Sequence, residues 1–335
     1  MNGGAAAGTS GTMSGWMWMP VDPPTLARLF AFHPQPVPIV ALLGAALLVA
    51  YLVGVIVLLR RGLPWPPGRL VWWVLGIATI ELMTATGFDG YGMELFSVHM
   101  LQHMVIGMLT PILLCLGAPM TLLLRALPAR PRGARSVVLA IVHSGAVRFI
   151  ANPVTTVLLF LFSLYGLYFT PAFDWLMSTM WGHNLMLVHF LAIGMLYFWA
   201  VLGVDPSPRR GGGFTGAFGQ PALRIGELLV PIPFHAFFGV AIMMATTLVV
   251  GFYARPNPSW NVDPLADQQL AGGIAWGFTE APTLLVLAVL FMQWQRSEAR
   301  YERRHDRRVL REGDVELEAY NARLAEYAAR DRSLS

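Results

Sequence analysis

The feature that most constrains this sequence is the recurrence of charge-poor apolar stretches, each about as long as a bilayer is thick. At ~1.5 Å per residue, ~20 apolar residues in a helix cross the hydrocarbon core. Runs of that kind recur at about 38–59, 70–87, 95–117, 153–170, 182–203, 227–250 and 271–294. They are too many and too long to be core helices of a soluble domain, where about a quarter of residues carry charge, against 13% here. The expected fold class is therefore all-α and integral to the membrane, a bundle of seven transmembrane helices.

The charges between the stretches set the expected orientation. All 23 basic residues are arginine. They gather after the first, third, fifth and seventh stretches, among them Arg60, Arg61, Arg125, Arg135, Arg209, Arg210, Arg296 and Arg300. The alternate connections carry Asp89, Glu94, Asp174, Asp263 and Asp267 with only Arg255. By the positive-inside rule the N-terminus lies outside and the C-terminus in the cytoplasm. The basic balance thus reports topology, and no base-reading pattern suggests a nucleic-acid partner. Three regions are expected: a flexible extracytoplasmic tail over 1–35, with Met13, Trp16, Met17, Trp18 and Met19 in it; a seven-helix domain over 36–295; and a charged, helical cytoplasmic tail over 296–335. The segment 134–150, too short to cross, reads as an interfacial helix with His143 at its surface, and 205–221 as a flexible Pro- and Gly-rich inner loop.

Within the spans, ionisable residues are rare because each costs at least ~2.5–3.5 kcal/mol when charged at the bilayer centre, so they face the bundle interior and mark a function. The third stretch carries His99 and His103, four apart and hence on one helical face, with Met100, Met104 and Met108 as a second stripe. Counting from the outer surface puts His99 and His103 roughly 6 and 12 Å deep, His189 again ~12 Å, His235 near the midplane and His183 at the rim. Glu81 and Glu280 join them in the middle or outer half. Imidazole and thioether are good copper ligands, and imidazole also suits haem iron. The set therefore reads as a metal or haem site, the alternative being that the carboxylates bond histidines across helices as polar glue. A single cysteine, Cys115, excludes a thiol pair or a cysteine-based zinc site within one chain. No nucleophile–base pair or phosphate loop appears, so no ordinary enzyme is expected.

Several motifs fall in order on matching spans: Phe96-Ser-Val-His99-Met-Leu-Gln-His103-Met and Leu116-Gly117-Ala118-Pro119, then Asn152-Pro153, Pro233-Phe234-His235-Ala236-Phe237-Phe238-Gly239, and Asp267-Gln268-Gln269-Leu270-Ala271-Gly272-Gly273 with Trp276. In these the chain resembles the CtaG-type assembly factors of caa3 cytochrome c oxidases over roughly residues 30–295. The resemblance implies a multi-pass protein of the bacterial plasma membrane that partners oxidase subunits and delivers copper, as Cu(I), received from an extracytoplasmic donor. On that footing His99, His103, His189 and His235 are the expected metal ligands, with Met104 and Met243 as soft ligands. Glu81 and Glu280 would orient histidines, and Asp267-Gln268-Gln269 would form an external lid or docking surface. Competing readings are a haem-b protein, a ligand-free scaffold for oxidase subunits, and a proton or metal transporter, the last disfavoured by the scarcity of polar groups on the inner halves of the spans.

Overall fold

The computed structural model describes residues 17–130, 132–206, 219–312 and 315–334. Among them it is all-helical, with no β-strand beyond one isolated bridge between Phe32 and Thr86. In chain order the helices are α1 (Leu26–Phe30), α2 (Ile39–Arg60), α3 (Pro67–Thr84), α4 (Gly87–Gly92), α5 (Phe96–Met104), α6 (Thr110–Leu116), α7 (Pro119–Ala126), α8 (Ala134–Val142), α9 (Gly145–Ile150), α10 (Pro153–Tyr168), α11 (Ala172–Met177), α12 (Met180–Leu202), α13 (Gly219–Leu229), α14 (Pro231–Met244), α15 (Pro264–Phe278), α16 (Glu280–Glu312) and α17 (Val315–Leu334). Two compact units result, Met1–Leu287 and Ala288–Ser335.

Among the described residues five helical runs are long and apolar enough to cross a membrane: Ile39–Arg60, Phe96–Leu116, Met180–Leu202, Leu223–Met244 and Pro264–Arg296. The other two expected spans correspond to α3, of 18 residues with Arg69 and Glu81 in it, and α10, of 16 residues. The sixth expected span, 227–250, stops being helical after Met244, and residues 245–250 run without helix. The seventh begins earlier than expected, at Pro264, and is interrupted at Thr279 between α15 and α16.

The run Phe96–Leu116 is the axis of the first unit: 83% of its most apolar window is buried, against 22% for Ile39–Arg60. α3, α12 and α15 pack around it. It is not one continuous α-helix. Residues Val105–Leu109 form a π turn, closed by the Thr110 N–H donating to the Val105 carbonyl. Pro111 supplies the cause, because it has no N–H to give the Gly107 carbonyl and its ring crowds that oxygen. The freed carbonyl lies against α12 at Gly194, where an added Cβ would collide with it.

Both ends of the axis are fastened by carboxylates from distant segments. Asp267 of α15 takes the first N–H groups of α5, as described below. At the other end, past Ala118 in the left-handed region at φ 53°, the Asp205 carboxylate accepts from Met120 N at 3.0 Å, Thr121 N at 2.8 Å and Thr121 Oγ1 at 2.5 Å, capping α7. Unpaired N–H groups at a helix start favour an anionic acceptor.

The segment expected to be flexible, 1–35, divides. Residues 1–16, with Met13 and Trp16, lie outside the described residues. Residues 17–35 are held on the first unit. Trp18 stacks on His33 with ring centres 3.6 Å apart, and its N–H donates to Gln35 Oε1 at 2.8 Å. Tyr91 Oη donates to the Asp22 carbonyl at 2.9 Å and Trp260 Nε1 to the Val21 carbonyl at 2.8 Å. The reason is aromatic surface: Trp18 lies over α4, where a side chain on Gly90 would meet its ring. The expected inner loop 205–221 falls largely outside the described residues. His143 is exposed, as expected, its Nδ1 2.8 Å from the Leu139 carbonyl.

Beneath that segment Asp89 is fully buried and accepts from Gln102 Nε2 at 2.8 Å. Burial pushes its carboxyl up to about 7, against smaller opposing effects from hydrogen bonds to Gln102 and Gln35. The folded state thus holds a proton that the unfolded chain releases near pH 4, so this contribution to stability is complete below about pH 4 and is lost as the pH climbs to about 7. The thermal midpoint of Asp89→Asn in detergent should accordingly fall less than the parent's between pH 4 and 8. Parallel curves would place the titration elsewhere.

Candidate metal centre of the bundle core

The histidine helix begins at Leu95, which offers no side-chain cap of its own. Asp267, 171 residues away in sequence, fills the role: its Oδ2 accepts from Phe96 N at 2.6 Å and Ser97 N at 3.3 Å, and its Oδ1 accepts from Ser97 Oγ. The adjacent Gln268 is buried; its Oε1 accepts from Val249 N at 2.7 Å and its Nε2 donates to the Thr247 carbonyl at 3.1 Å, tying down the non-helical segment after α14. The Asp267-Gln268-Gln269 stretch expected to be a lid is thus, at its first two positions, internal fastening.

One turn into α5, His99 is wholly buried in an aromatic shell. Its ring centre lies 5.2 Å from Phe173, 6.0 Å from Tyr253, 6.4 Å from Tyr168 and 6.0 Å from His183. One turn further, His103 meets the Phe190 ring edge-on at 3.7 Å and Tyr168 at 5.6 Å. Tyr168 therefore touches both histidines. His103 and the buried His235 of α14 line one cavity of about 20 Å³ with Met108, Ser163 and Phe160. A second cavity, also of about 20 Å³, is lined by His235, Met108, Phe160, Thr279 and Thr283.

The polar atoms in this core are mostly unsatisfied. Neither ring nitrogen of His99 or His235 has a hydrogen-bond partner among the described residues, nor do His103 Nδ1, His183 Nε2 or the Tyr168 hydroxyl. Buried polar groups are nearly always paired, so a cluster of orphans asks for an explanation. The histidines meet in pairs: His99 lies beside His183, and His103 shares a cavity with His235. They form a chain through the core and do not close on one point. Among the described residues no three of His, Cys, Asp and Glu are placed to hold one metal ion.

The remaining expected residues are dispersed. His189 is exposed on α12 and shares a 2.7 Å hydrogen bond with Ser163 Oγ. Met104 is fully buried, and Met243 is half-buried where its backbone crosses Gly272. Glu81 has its Oε1 buried in the contact of α3 with α2, beside Gly44. Glu280 is exposed on α16. The sequence reading put Met108 in a methionine stripe and His183 at the rim without assigning either as a ligand, and it missed Ser163 and Tyr168. His183 was legible in principle, since His183, Met186 and His189 recur every third residue on α12. What hid it is α11, which folds against the start of α12 so closely that a Cβ on Gly182 would strike the Leu176 carbonyl.

Comparison with known proteins gives the following. The profile of the family described as cytochrome c oxidase caa3 assembly factor (Caa3_CtaG) matches residues 49–297. Uncharacterized proteins of Mycobacterium bovis and Mycobacterium tuberculosis are each 42% identical over 311 residues, and one of Mycobacterium leprae is 40% identical over 315 residues. In each case the match covers 91% of this chain and 46% of the relative. The chain spans about half the length of the curated relatives it matches. No solved structure matches it.

Proposed function

This chain belongs to the cytochrome c oxidase caa3 assembly factor family, and from that premise we propose that it carries copper, as Cu(I), through its buried histidines and hands it to the oxidase during assembly. The observation that carries the reading is the run of orphaned imidazole nitrogens on His99, His103, His183 and His235. Their donor chemistry fits the cargo. Neutral imidazole and thioether hold a soft monovalent ion without the closed thiolate cage that would retain it. Among the described residues no carboxylate is grouped with two of the histidines, and a divalent ion without an anionic ligand would be costly in so apolar a core. The two cavities of about 20 Å³ have room for an ion but not for a porphyrin, which favours copper over haem b.

The same reading assigns α2, α3, the α5–α6 run, α10, α12, the α13–α14 run and the α15–α16 run as seven spans of a bacterial plasma-membrane protein. The N-terminus is outside and the tail over 296–335 is cytoplasmic, from the arginine distribution. The N-terminal ends of α5 and α12 then face outward, toward an extracytoplasmic copper donor, while oxidase subunits meet the protein within the bilayer.

The test is the metal and haem content of the purified chain after anaerobic loading with Cu(I), beside His99→Ala/His103→Ala. The parent should retain copper and show no Soret band, and the variant should lose most of the copper while staying monodisperse. Cells carrying the variant should lose active oxidase. No copper in the parent, with oxidase activity intact in the variant, would leave the scaffold reading; a Soret band would leave the haem reading.

A further inference from the structure

We propose that the core holds two separate Cu(I) stations, an outer one in which His99 and His183 bind the ion in line and an inner one made by His103, His235 and Met108. The proposal rests on the copper-carrying reading above and deepens it. An ion held in line between two imidazole nitrogens at ~2 Å each places the ring centres about 6 Å apart. His99 and His183 stand at 6.0 Å, and each has an orphaned nitrogen. Both rings are almost wholly buried, at 0% and 1% exposure, and neither His99 nitrogen nor His183 Nε2 has a hydrogen-bond partner among the described residues. Phe173, Tyr253 and Tyr168 surround the His99 ring, and no third histidine, cysteine or carboxylate among the described residues joins the pair. Two neutral nitrogens in an apolar shell are a donor set for a soft ion of low charge and low coordination number.

The inner station differs in kind. His103 and His235 share the lining of a cavity with Met108, which with His235 also lines the second cavity, so a thioether is available there. His99 and His103 are four residues apart on one face of α5, a rise of about 6 Å. The Tyr168 ring lies beside both His99 and His103, and its buried hydroxyl has no hydrogen-bond partner among the described residues. An ion therefore moves from one station to the other by a single helical turn, with His99 released as His103 is engaged. His189, exposed and bonded to Ser163, takes part in neither.

The full-length chain, loaded anaerobically with Cu(I) and in parallel with Ag(I), would be titrated against a competing chelator and its metal sites read by X-ray absorption. The parent is expected to retain two ions per chain. His183→Asn should retain one, with sulfur in its coordination shell, and His235→Asn one, with nitrogen only. Both substitutions keep the shape of the ring's first atoms, and size-exclusion profiles confirm folding. Parental stoichiometry in His183→Asn, or loss of every ion in either single variant, would overturn the two-station arrangement while leaving copper carriage intact. A parent that retains no ion at all would instead overturn the carriage reading itself.

Discussion

Gly272→Leu is expected to yield no monodisperse protein, and Gly272→Ala to lower the thermal midpoint sharply, because α14 and α15 cross backbone to backbone. A Cβ on Gly272 would land on the Met243 N–H and 2.7 Å from the Gly239 carbonyl. From the other side, a Cβ on Gly239 would sit 2.7 Å from Trp276 N and 2.8 Å from the Gly272 carbonyl. Neither obstruction is the far end of a flexible side chain, so the helices themselves must separate. Overpacking of that kind costs ~1–3 kcal/mol for small additions and more for large ones. Small residues are what let helix backbones approach in a membrane. The consequence reaches the centre, since α14 carries His235 and α15 carries Asp267. Gly273→Ala is the control: nothing lies within 4 Å of its added methyl, and it should behave as the parent. Fluorescence-detected size exclusion across a heating series reads all three, and equal midpoints for Gly272→Ala and Gly273→Ala would refute the account.

Asp267→Ala should lower stability by about 2 kcal/mol or more and weaken copper retention with it. The carboxylate is the acceptor for Phe96 N, Ser97 N and Ser97 Oγ, and both Phe96 and Ser97 are buried. Removing a helix cap costs ~0.5–2 kcal/mol, and leaving a buried donor unpaired costs ~1–3 kcal/mol. The residues released are the first turn of α5, directly before His99, so the outer histidine loses its placement as the helix frays. Asp267→Asn keeps an acceptor and loses the charge, and should fall between parent and alanine variant. Thermal midpoints and bound Cu(I) per chain check this together. An alanine variant as stable as the parent would mean that water replaces the carboxylate at no cost.

Part of this centre is legible along the chain. The spacing of His99 and His103 guarantees a shared helical face wherever the helix lies, and Pro111 following Gly107 already disturbs the helix that carries them. The apolar runs are likewise legible as helices, because a length and composition suited to a bilayer can be counted along the chain. Depth can be counted as well, at a fixed rise per residue. Azimuth cannot. Glu280 and His235 were assigned matching depths, yet His235 points into the core and Glu280 is exposed, because rotation about each helix axis is set by what its neighbours allow.

The same limit explains Asp267 and His183. Nothing within a few residues of Asp267 reveals that it caps a helix 171 positions earlier, and nothing near His183 reveals that α11 covers it. That the chain is helical, strongly apolar and carries histidines within its apolar helices follows from composition and from periodicities of 3.6 residues. Which histidines meet follows only from how the helices pack. Glycine contacts at Gly194, Gly239 and Gly272 set how close the helices come and which way they face, and closeness in space between distant segments is not encoded in any local pattern.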